Sequence, residues 1–280
     1  MRILVAGATG AVGRLLVPML IKDGHEVAGT SRSANGVNAI DALGARGLRM
    51  DALSAESVNA ALHSFGPEIV IHQLTALGER DFAANSRLRI EGTRHLVDAS
   101  LDVGARKIIA QSISWVYEGG DTPADETVPM DGSPASAGMI AAVRALESES
   151  ARMPEHVVLR YGVFYGPGTW HERNGYVAHQ LRDGAITAND GVTSFIHVED
   201  AARAAVAALE WPNGTVNIVD DDPAPSRDWL PALAEALGEP APKIAASRHP
   251  GERGAANHKA RTDLAWTPKW PTWRTGFPAS

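Results

Sequence analysis

The sequence predicts an α/β fold in which a doubly wound parallel sheet is followed by a smaller C-terminal lobe. Strand-like apolar runs alternate with amphipathic segments through residues 1–160. The runs are continuously apolar, which is typical of parallel strands covered by helices on both faces. The first run ends in a glycine-rich turn, and folds of this class bind ligands at the carboxyl ends of their strands. After residue 160 the alternation weakens and proline, glycine and tryptophan become frequent, which predicts the lobe.

The elements follow from these patterns in chain order. The predicted strands are short apolar runs at residues 2–7, 25–30, 45–50, 68–74, 106–112 and 156–162. The predicted helices are amphipathic segments at residues 11–22, 36–43, 55–64, 82–103 and 136–152. Residues 196–220 return to the strand–helix–strand pattern. We therefore predict a cofactor-binding domain of residues 1–160 plus 196–220 and a substrate-binding lobe of residues 161–195 plus 221–280.

Composition excludes several functional classes. The 280 residues carry a net charge of -7, so the chain lacks the basic surplus that non-specific nucleic-acid binding requires. Cysteine is absent and the ten histidines show no metal-ligand spacing, so we expect neither thiolate chemistry nor a metal site. Glycine, arginine and proline interrupt the apolar N-terminus, and no apolar run reaches ~18 residues, so we expect neither a signal peptide nor a membrane span. The default expectation is a cytoplasmic enzyme with a small-molecule substrate.

The glycine-rich turn predicts a nucleotide site. Residues 2–13 read RILVAGATGAVG, an apolar strand that runs into a Gly-x-x-Gly-x-x-Gly turn before a helix. The glycines allow a tight turn, close approach of the backbone to a pyrophosphate and close packing of the helix on the strand. The helix directs its amide N–H groups and the positive end of its dipole at the phosphates. This motif predicts a Rossmann-type fold, with a purely structural turn as the alternative. The expected cofactor contacts in this turn are Gly7, Thr9, Gly10, Ala11, Val12 and Gly13.

The end of the second strand indicates which dinucleotide binds. A site that prefers NAD usually has an acid here, which holds the ribose hydroxyls. This chain has Thr30, Ser31, Arg32 and Ser33 instead. An arginine beside hydroxyl groups would bind a 2′-phosphate, whereas a carboxylate would repel it. NADP is therefore favoured over NAD, and the alternative is that Arg32 is only a solvated loop residue.

Two further segments are expected at the cofactor. Asp51, followed by Ala52, lies just past the third strand. Its carboxylate would either accept a hydrogen bond from the adenine amino group or cap the next helix. Leu74, Thr75 and Ala76 follow the fourth strand and are expected beside the cofactor.

Seven phrases along the chain have the order and spacing of a known family. They are GATGAVG (7–13), VIHQLTA (70–76), EGTRHLVDAS (91–100), VVLRYGVFYGPG (157–168), SFIHVEDAA (194–202), TVNIVDDDP (215–223) and KARTDLAWTPKWPTWRTGF (259–277). On these phrases the chain resembles the extended short-chain dehydrogenase/reductase family, the NAD(P)-dependent epimerase/dehydratase group. The resemblance implies a Rossmann domain with a small C-terminal substrate lobe. Because members often dimerise through two long helices, it also makes a homodimer an expectation.

The residues that usually carry the chemistry of this family are replaced. Members react through Asn, Ser or Thr, Tyr and Lys, in which the Tyr is the acid/base, the Lys lowers its pKa and the hydroxyl orients the substrate. The matching positions hold Arg89, Ile113, Met139 and Val143. No Tyr in the chain is followed four residues later by Lys, so a shift of register cannot restore the pair. A positioned acid/base contributes roughly 10²–10⁴-fold in rate, so we expect ordinary alcohol–ketone interconversion to be crippled unless another group substitutes.

Two interpretations of these replacements are open. Ile113, Met139, Val143 and the neighbouring Trp115 could line an apolar pocket for an aromatic or polyketide-like substrate. Alternatively, they pack the helix against the sheet. Substitute catalytic groups are also conceivable at the carboxyl edge of the sheet or in the lobe. The candidates are Tyr117, Tyr165, His171, Arg89, Ser112 and Ser114.

Three functions are consistent with this pattern. The first is an NADP-dependent oxidoreductase or epimerase with a non-standard acid/base. The second is a non-redox cyclase, lyase or isomerase in which the cofactor is structural or absent. The third is a non-catalytic NADP(H) sensor. The nearly complete C-terminal part argues for a small-molecule pocket and favours the first two.

Overall fold

The computed structural model describes residues 1–78, 80–248 and 252–279. The strands in chain order are β1 (Arg2–Ala6), β2 (Glu26–Ser31), β3 (Arg46–Arg49), β4 (Ile69–His72), β5 (Lys107–Ile113), β6 (Glu155–Tyr161), β7 (Val163–Tyr165), β8 (Thr187–Ala188), β9 (Val192–Thr193), β10 (Phe195–His197), β11 (Gly214–Ile218), β12 (Ala224–Pro225) and β13 (Lys243–Ile244). The helices are α1 (Gly13–Lys22), α2 (Ala34–Ala42), α3 (Ala55–Phe65), α4 (Phe82–Arg87), α5 (Thr93–Asp102), α6 (Ala137–Ser150), α7 (Tyr176–Arg182), α8 (Val198–Ala207), α9 (Ser226–Leu237), α10 (His258–Thr262) and α11 (Trp273–Gly276). A π-helical segment (Leu88–Gly92) joins α4 to α5, and a 3₁₀ turn (Phe277–Ala279) follows α11.

Seven strands form one sheet in the order β11-β6-β5-β4-β1-β2-β3. The strands β5, β4, β1, β2 and β3 pair in parallel along this order. All four residues of β4 and four of the five residues of β1 are buried, as the continuously apolar runs predict. The six strands predicted within residues 1–160 are all present, with ends that differ by at most two residues. The α/β, Rossmann-type fold is therefore confirmed.

Local sequence sets the ends of several helices. Ser33 and Ser54 cap α2 and α3 by accepting hydrogen bonds from backbone N–H groups of the first turns. Helix α1 begins at Gly13 rather than at residue 11, because the preceding residues still belong to the turn. The helix predicted over residues 82–103 is present but contains the π-helical segment. No helix in the described part of the chain has the length and apolar character needed to cross a membrane.

The chain divides by its contacts into two compact units. The first comprises residues 1–112, 133–159 and 202–215, and the second comprises residues 113–132, 160–201 and 216–280. Residues 113–132, 196–201 and 216–220 thus group with the second unit, unlike in the predicted division. The assignment of cofactor binding and substrate binding to separate domains remains a prediction.

Each unit has its own apolar core. In the first unit, side chains of β1, β4, α3 and α5 form a buried cluster that includes Leu4, Val70 and Leu96. In the second unit, the buried cluster combines aliphatic side chains with an aromatic core of Tyr165, Phe195, Trp229, Trp273 and Phe277. The Phe195 ring packs edge-on against Trp229 and Phe277, with ring centroids 5.0 and 5.3 Å away. Such edge-to-face pairs stabilise a core by about 0.5–1.5 kcal/mol beyond their area burial.

Candidate functional site

The strand order of the first unit defines a crevice between β1 and β4. The chain proceeds from β1 to β2 and β3 on one side, then returns to place β4 on the other side of β1. Ligands of open α/β sheets bind at such a reversal, outside the carboxyl ends of the strands. Gly7 follows β1 here and Gln73 follows β4. The two residues are so close that a Cβ on Gly7 would lie 2.7 Å from the Gln73 carbonyl oxygen.

The glycine-rich turn at this crevice has no room for side chains at its key positions. Gly7 has a φ of +92°, which disfavours any other residue. A Cβ on Gly13 would lie 2.3 Å from the Gly7 carbonyl oxygen and 2.7 Å from the Ala8 Cα. Helix α1 starts at this point with no side-chain cap and no acid in its first turn. The turn therefore offers backbone donors and a positive dipole end to an anion, as a pyrophosphate requires.

The segments predicted to bind the cofactor lie at one edge of the sheet. They follow β1, β2, β3 and β4, which are adjacent strands in parallel, so their carboxyl ends meet. Arg32 is exposed, and the Ser31 hydroxyl accepts a hydrogen bond from the Ser33 N–H. Asp51 does not cap α3, because Ser54 does so; instead the Asp51 carboxylate accepts a hydrogen bond from the Leu53 N–H. The capping alternative for Asp51 was therefore wrong.

Two residues at this edge have buried polar side chains, and one of them, Gln73, was not anticipated from the sequence. Gln73 is 5% exposed, and neither its Nε2 nor its Oε1 has a partner among the described residues. The Thr30 hydroxyl, at the end of β2, is likewise buried without a partner in that part of the chain. A buried polar group without a partner costs about 1–3 kcal/mol. For Gln73, the sequence signal is its position directly after a buried strand.

These features fit a dinucleotide. The glycines leave space for a pyrophosphate, the uncapped helix start offers donors, and Thr30 and Gln73 offer unused polar atoms beside the turn. Among the described residues, no group of three or more His, Asp or Glu side chains is arranged to hold a metal ion. The donor set is thus suited to an organic, phosphate-bearing ligand.

A second polar cluster lies at the carboxyl ends of β4 and β5. The Leu74 N–H donates to His72 Nδ1 at 3.2 Å, so His72 Nε2 carries the proton that it donates to Thr93 Oγ1 at 2.9 Å. Burial lowers the pKa of His72 to about 4, and the positive charge of Arg89 lowers it as well. His72 is therefore a neutral residue that supports the loop after β4.

Ser112 and Glu147 connect β5 to α6 in the same cluster. The Ser112 hydroxyl donates to Glu147 Oε1 at 2.7 Å. Glu147 lies one helical turn after Val143 on α6. Val143 is 1% exposed, which supports a packing role for it, and Met139 is half-buried one turn earlier. Neither side chain can transfer a proton.

Arg89 lies in the π-helical segment and is 8% exposed. Burial lowers the pKa of its guanidinium from the ordinary value, and the negative charge of Glu147 opposes this shift. Across residues 1–78, 80–248 and 252–279, Arg89 makes neither a hydrogen bond through its guanidinium nor an ion pair within 4.0 Å. Irregular π-helical turns are frequent at functional sites.

The structure buries Tyr117 in the second unit. Its hydroxyl donates to Asn217 Oδ1 at 2.5 Å and accepts a hydrogen bond from Arg160 Nη1 at 3.0 Å. Burial raises its pKa, although the charge of Arg160 opposes the shift. Ser114 is also in this unit and is 4% exposed, with its backbone N–H bonded to the Tyr161 carbonyl oxygen. These contacts indicate structural roles, so we do not retain Tyr117 and Ser114 as catalytic candidates.

Tyr165 and His171 are buried as well. The Tyr165 side chain is enclosed, its hydroxyl lies against Gly276, and burial raises its pKa. His171 Nδ1 donates to the Phe164 carbonyl oxygen at 2.9 Å. Burial lowers the pKa of His171 to about 4, opposed by that hydrogen bond. Both residues pack in the aromatic core of the second unit, which argues against their catalytic candidacy.

We expect the neutral, buried histidines to make the protein sensitive to acid. The pKa values of His72 and His171 are lowered from 6.5 to about 4 on folding, so the unfolded chain binds more protons between these values. Above pH 6.5, the contribution of these two histidines to the free energy of unfolding does not change with pH. It then falls by up to roughly 1.4 kcal/mol per pH unit for each histidine as the pH decreases to 4.

Urea titrations at a series of pH values would measure this slope. His171→Phe should reduce the slope by about one proton, whereas His258→Gln, at an exposed histidine, should leave it unchanged. An unchanged slope in His171→Phe would contradict the expectation.

Comparison with known proteins agrees with this architecture. Residues 3–219 match the model of the NAD dependent epimerase/dehydratase family. The chain belongs to this family. The expected family resemblance is thereby confirmed, and the family match extends through all strands of the seven-stranded sheet.

Individual family relatives place the chain among enzymes. A 3-diazoavenalumate denitrifying reductase from a Streptomyces species is 42% identical, and the match covers 99% of both chains. UDP-glucose 4-epimerase of Thermus thermophilus, solved in complex with NAD, is 27% identical with a TM-score of 0.79, covering 99% of this chain and 97% of the other. UDP-glucose 4-epimerase of Thermotoga maritima shares the fold at 22% identity, with a TM-score of 0.80 over 99% and 96% of the two chains. The chain is therefore an NAD(P)-dependent enzyme of the oxidoreductase or epimerase type.

Proposed function

We propose that this enzyme uses NADPH to replace the diazo group of an aromatic carboxylate with hydrogen. The observation that carries the proposal is the replacement of the Tyr and Lys of the family by Met139 and Val143 on α6. The 42% identity to a diazo-compound reductase along 99% of both chains supports the same reaction class.

The missing acid/base is consistent with this chemistry. Reduction of a carbonyl leaves a negative charge on oxygen, which a positioned proton donor must neutralise. In the proposed reaction, a hydride forms a carbon–hydrogen bond at the ring carbon while the carbon–nitrogen bond breaks and neutral dinitrogen leaves. No oxygen therefore needs a proton. When bound, NADPH would supply the hydride for this exchange. Residues 139 and 143 then have no proton to transfer.

The apolar replacements would also protect the substrate. An aromatic diazonium ion reacts with water, which substitutes a hydroxyl for the diazo group. Met139, which is half-buried, carries no hydroxyl, amine or carboxylate that would bind water, and the buried Val143 beside it on α6 carries none either. Exclusion of water from a reactive intermediate is a recognised role of active sites. We infer that α6 contributes an apolar wall rather than a catalytic pair.

Residues of the first unit would hold the cofactor. The Gly7–Gly13 turn and the start of α1 would bind the pyrophosphate. The side-chain polar atoms of Gln73 and Thr30 would form hydrogen bonds with the ligand. Arg32 with its flanking hydroxyls would bind the 2′-phosphate, which favours NADP over NAD. Asp51 and the segment Leu74–Ala76 remain predicted contacts. The formation of a homodimer also remains a prediction.

An isotope experiment tests the proposed reaction. We expect the enzyme to convert a cinnamate that carries a ¹⁵N-labelled diazonium group, releasing one labelled dinitrogen for each NADPH consumed. With NADPH deuterated at C4 on the transferred face, the deuterium should appear at the ring carbon that lost nitrogen. Nitrogen release and deuterium transfer are followed by mass spectrometry.

Controls separate this reaction from its alternatives. NADPH reduces diazonium salts slowly without an enzyme, so the rate is compared with that of Gly13→Ala, in which the turn is blocked, and of Gly132→Ala, which has open space at its Cβ. No acceleration over Gly13→Ala would refute the proposal. A product formed without oxidation of NADPH would indicate a non-redox lyase or isomerase instead. Turnover of UDP-glucose with NAD⁺ would indicate an epimerase.

A further inference from the structure

We propose that Arg89 binds the carboxylate of the substrate and thereby selects aromatic acids over their neutral analogues. This inference rests on the proposed function, because it assigns a role within the same site. It starts from the position of Arg89 in the π-helical segment between α4 and α5.

The environment of Arg89 lacks a counter-charge at contact distance. With 8% of its surface exposed, its charge is largely removed from water. Burial of a charge without a paired, hydrogen-bonded partner is strongly unfavourable. Among the described residues, no carboxylate lies within 4.0 Å of its guanidinium. An anion that enters the site would supply the missing partner.

The neighbours of Arg89 are already engaged with other groups. His72 is neutral, and its Nε2–H is used by Thr93 Oγ1. Glu147 acts on Arg89 by charge, but its Oε1 accepts the Ser112 hydroxyl. The cluster thus combines one cation with unused donors and one anion that is hydrogen-bonded elsewhere. The cluster therefore lacks a negatively charged group that could accept hydrogen bonds from the Arg89 guanidinium.

A carboxylate fits the unused donors of Arg89 better than other small anions do. Arginine presents a planar set of donors that matches a carboxylate through two parallel hydrogen bonds. Arg89 is 8% exposed, so the residue is not fully closed off from solvent. The charge of Arg89 acts on His72, the last residue of β4 before Gln73, so a ligand held by Arg89 would lie near the end of β4 where the dinucleotide is expected.

Direct binding measurements test this role. Wild-type protein saturated with NADP⁺ is titrated calorimetrically with cinnamate and with cinnamamide, its uncharged analogue. We expect cinnamate to bind roughly 10- to 100-fold more tightly than the amide. Arg89→Gln should bind both equally weakly, and Arg89→Lys should retain an intermediate preference because it keeps the charge without the planar donors.

Control measurements distinguish a carboxylate site from a structural or cofactor role. Arg94→Gln changes an exposed arginine on the next helix and should keep the wild-type preference. The affinity of Arg89→Gln for NADP⁺ alone should equal that of wild type. A retained preference in Arg89→Gln would overturn the proposal, as would an equal loss of NADP⁺ affinity. If Arg89→Gln does not fold by circular dichroism, a preference of Arg89→Lys equal to that of wild type would overturn it.

The proposed carboxylate site at Arg89 and the proposed reaction can fail independently of each other. A preference for the acid that depends on Arg89, together with no deuterium transfer to a diazonium substrate, would refute the reaction but keep the anion site. Deuterium transfer with no dependence of acid binding on Arg89 would refute only the anion site.

Discussion

Gly13→Ala is expected to weaken NADPH binding by about 100-fold while the protein remains folded. The added Cβ would lie 2.3 Å from the Gly7 carbonyl oxygen and 2.7 Å from the Ala8 Cα, which are backbone atoms that cannot rotate away. The turn must therefore open, and its amide groups no longer converge on a pyrophosphate. Overpacking typically costs about 1–3 kcal/mol, or roughly 5- to 150-fold in affinity. We expect the upper end of this range, because both contacts are with the backbone.

NADPH fluorescence on titration with protein would measure the affinity, and circular dichroism would confirm folding. Gly132→Ala is the matched control, since a Cβ there meets nothing within 4 Å and its affinity should stay at the wild-type value. If Gly13→Ala bound NADPH as tightly as wild type, the assignment of the glycine turn to the pyrophosphate would be wrong.

Arg32→Asp is expected to invert the cofactor preference. Arg32 is exposed directly after β2, beside the hydroxyls of Ser31 and Ser33. The substitution removes a charge-assisted hydrogen bond to the 2′-phosphate and adds a carboxylate that repels it. Hydrogen bonds to charged groups contribute about 1.5–3 kcal/mol, so NADPH affinity should fall roughly 10- to 100-fold. NADH affinity should rise, because an acid at this position accepts hydrogen bonds from the ribose hydroxyls.

The same fluorescence titration with NADPH and with NADH would give both affinities. Arg94→Asp makes the identical change of charge at an exposed position on α5 and should leave the ratio of the two affinities unchanged. Because salt screens exposed charges, the difference for Arg32→Asp should decrease at high ionic strength. An unaltered ratio in Arg32→Asp would show that Arg32 is a solvated loop residue.

The main elements were predictable because their signals are local. A continuously apolar run such as residues 69–71 is typical of a fully buried strand or a piece of a buried helix, and its short length decides between them. Glycines that follow such a strand and precede an amphipathic segment specify a tight turn in the same local way. The π-helical segment was not predictable, since its residues have no propensity that distinguishes them from an ordinary helix.

The candidate site was only partly predictable. Tyr117 and His171 looked like substitute acid/base residues because their side chains can transfer protons. The structure places Tyr117 in a network with Arg160 and Asn217, which is 100 residues away along the chain from Tyr117. It places His171 against Phe164 and the aromatic core. Burial of this kind depends on contacts between distant segments, which single-residue chemistry does not specify.

By itself, the sequence determined the fold class, the glycine turn, the family resemblance and the absence of the Tyr–Lys pair, because each depends on residue type and short spacing. Only the tertiary structure decided which polar groups lack partners. Gln73 and Arg89 are ordinary polar residues in the sequence, and Ser112 and Glu147 lie 35 positions apart before folding joins them. The physical reason is that desolvation and hydrogen-bond satisfaction depend on every neighbour that the fold brings within a few ångströms.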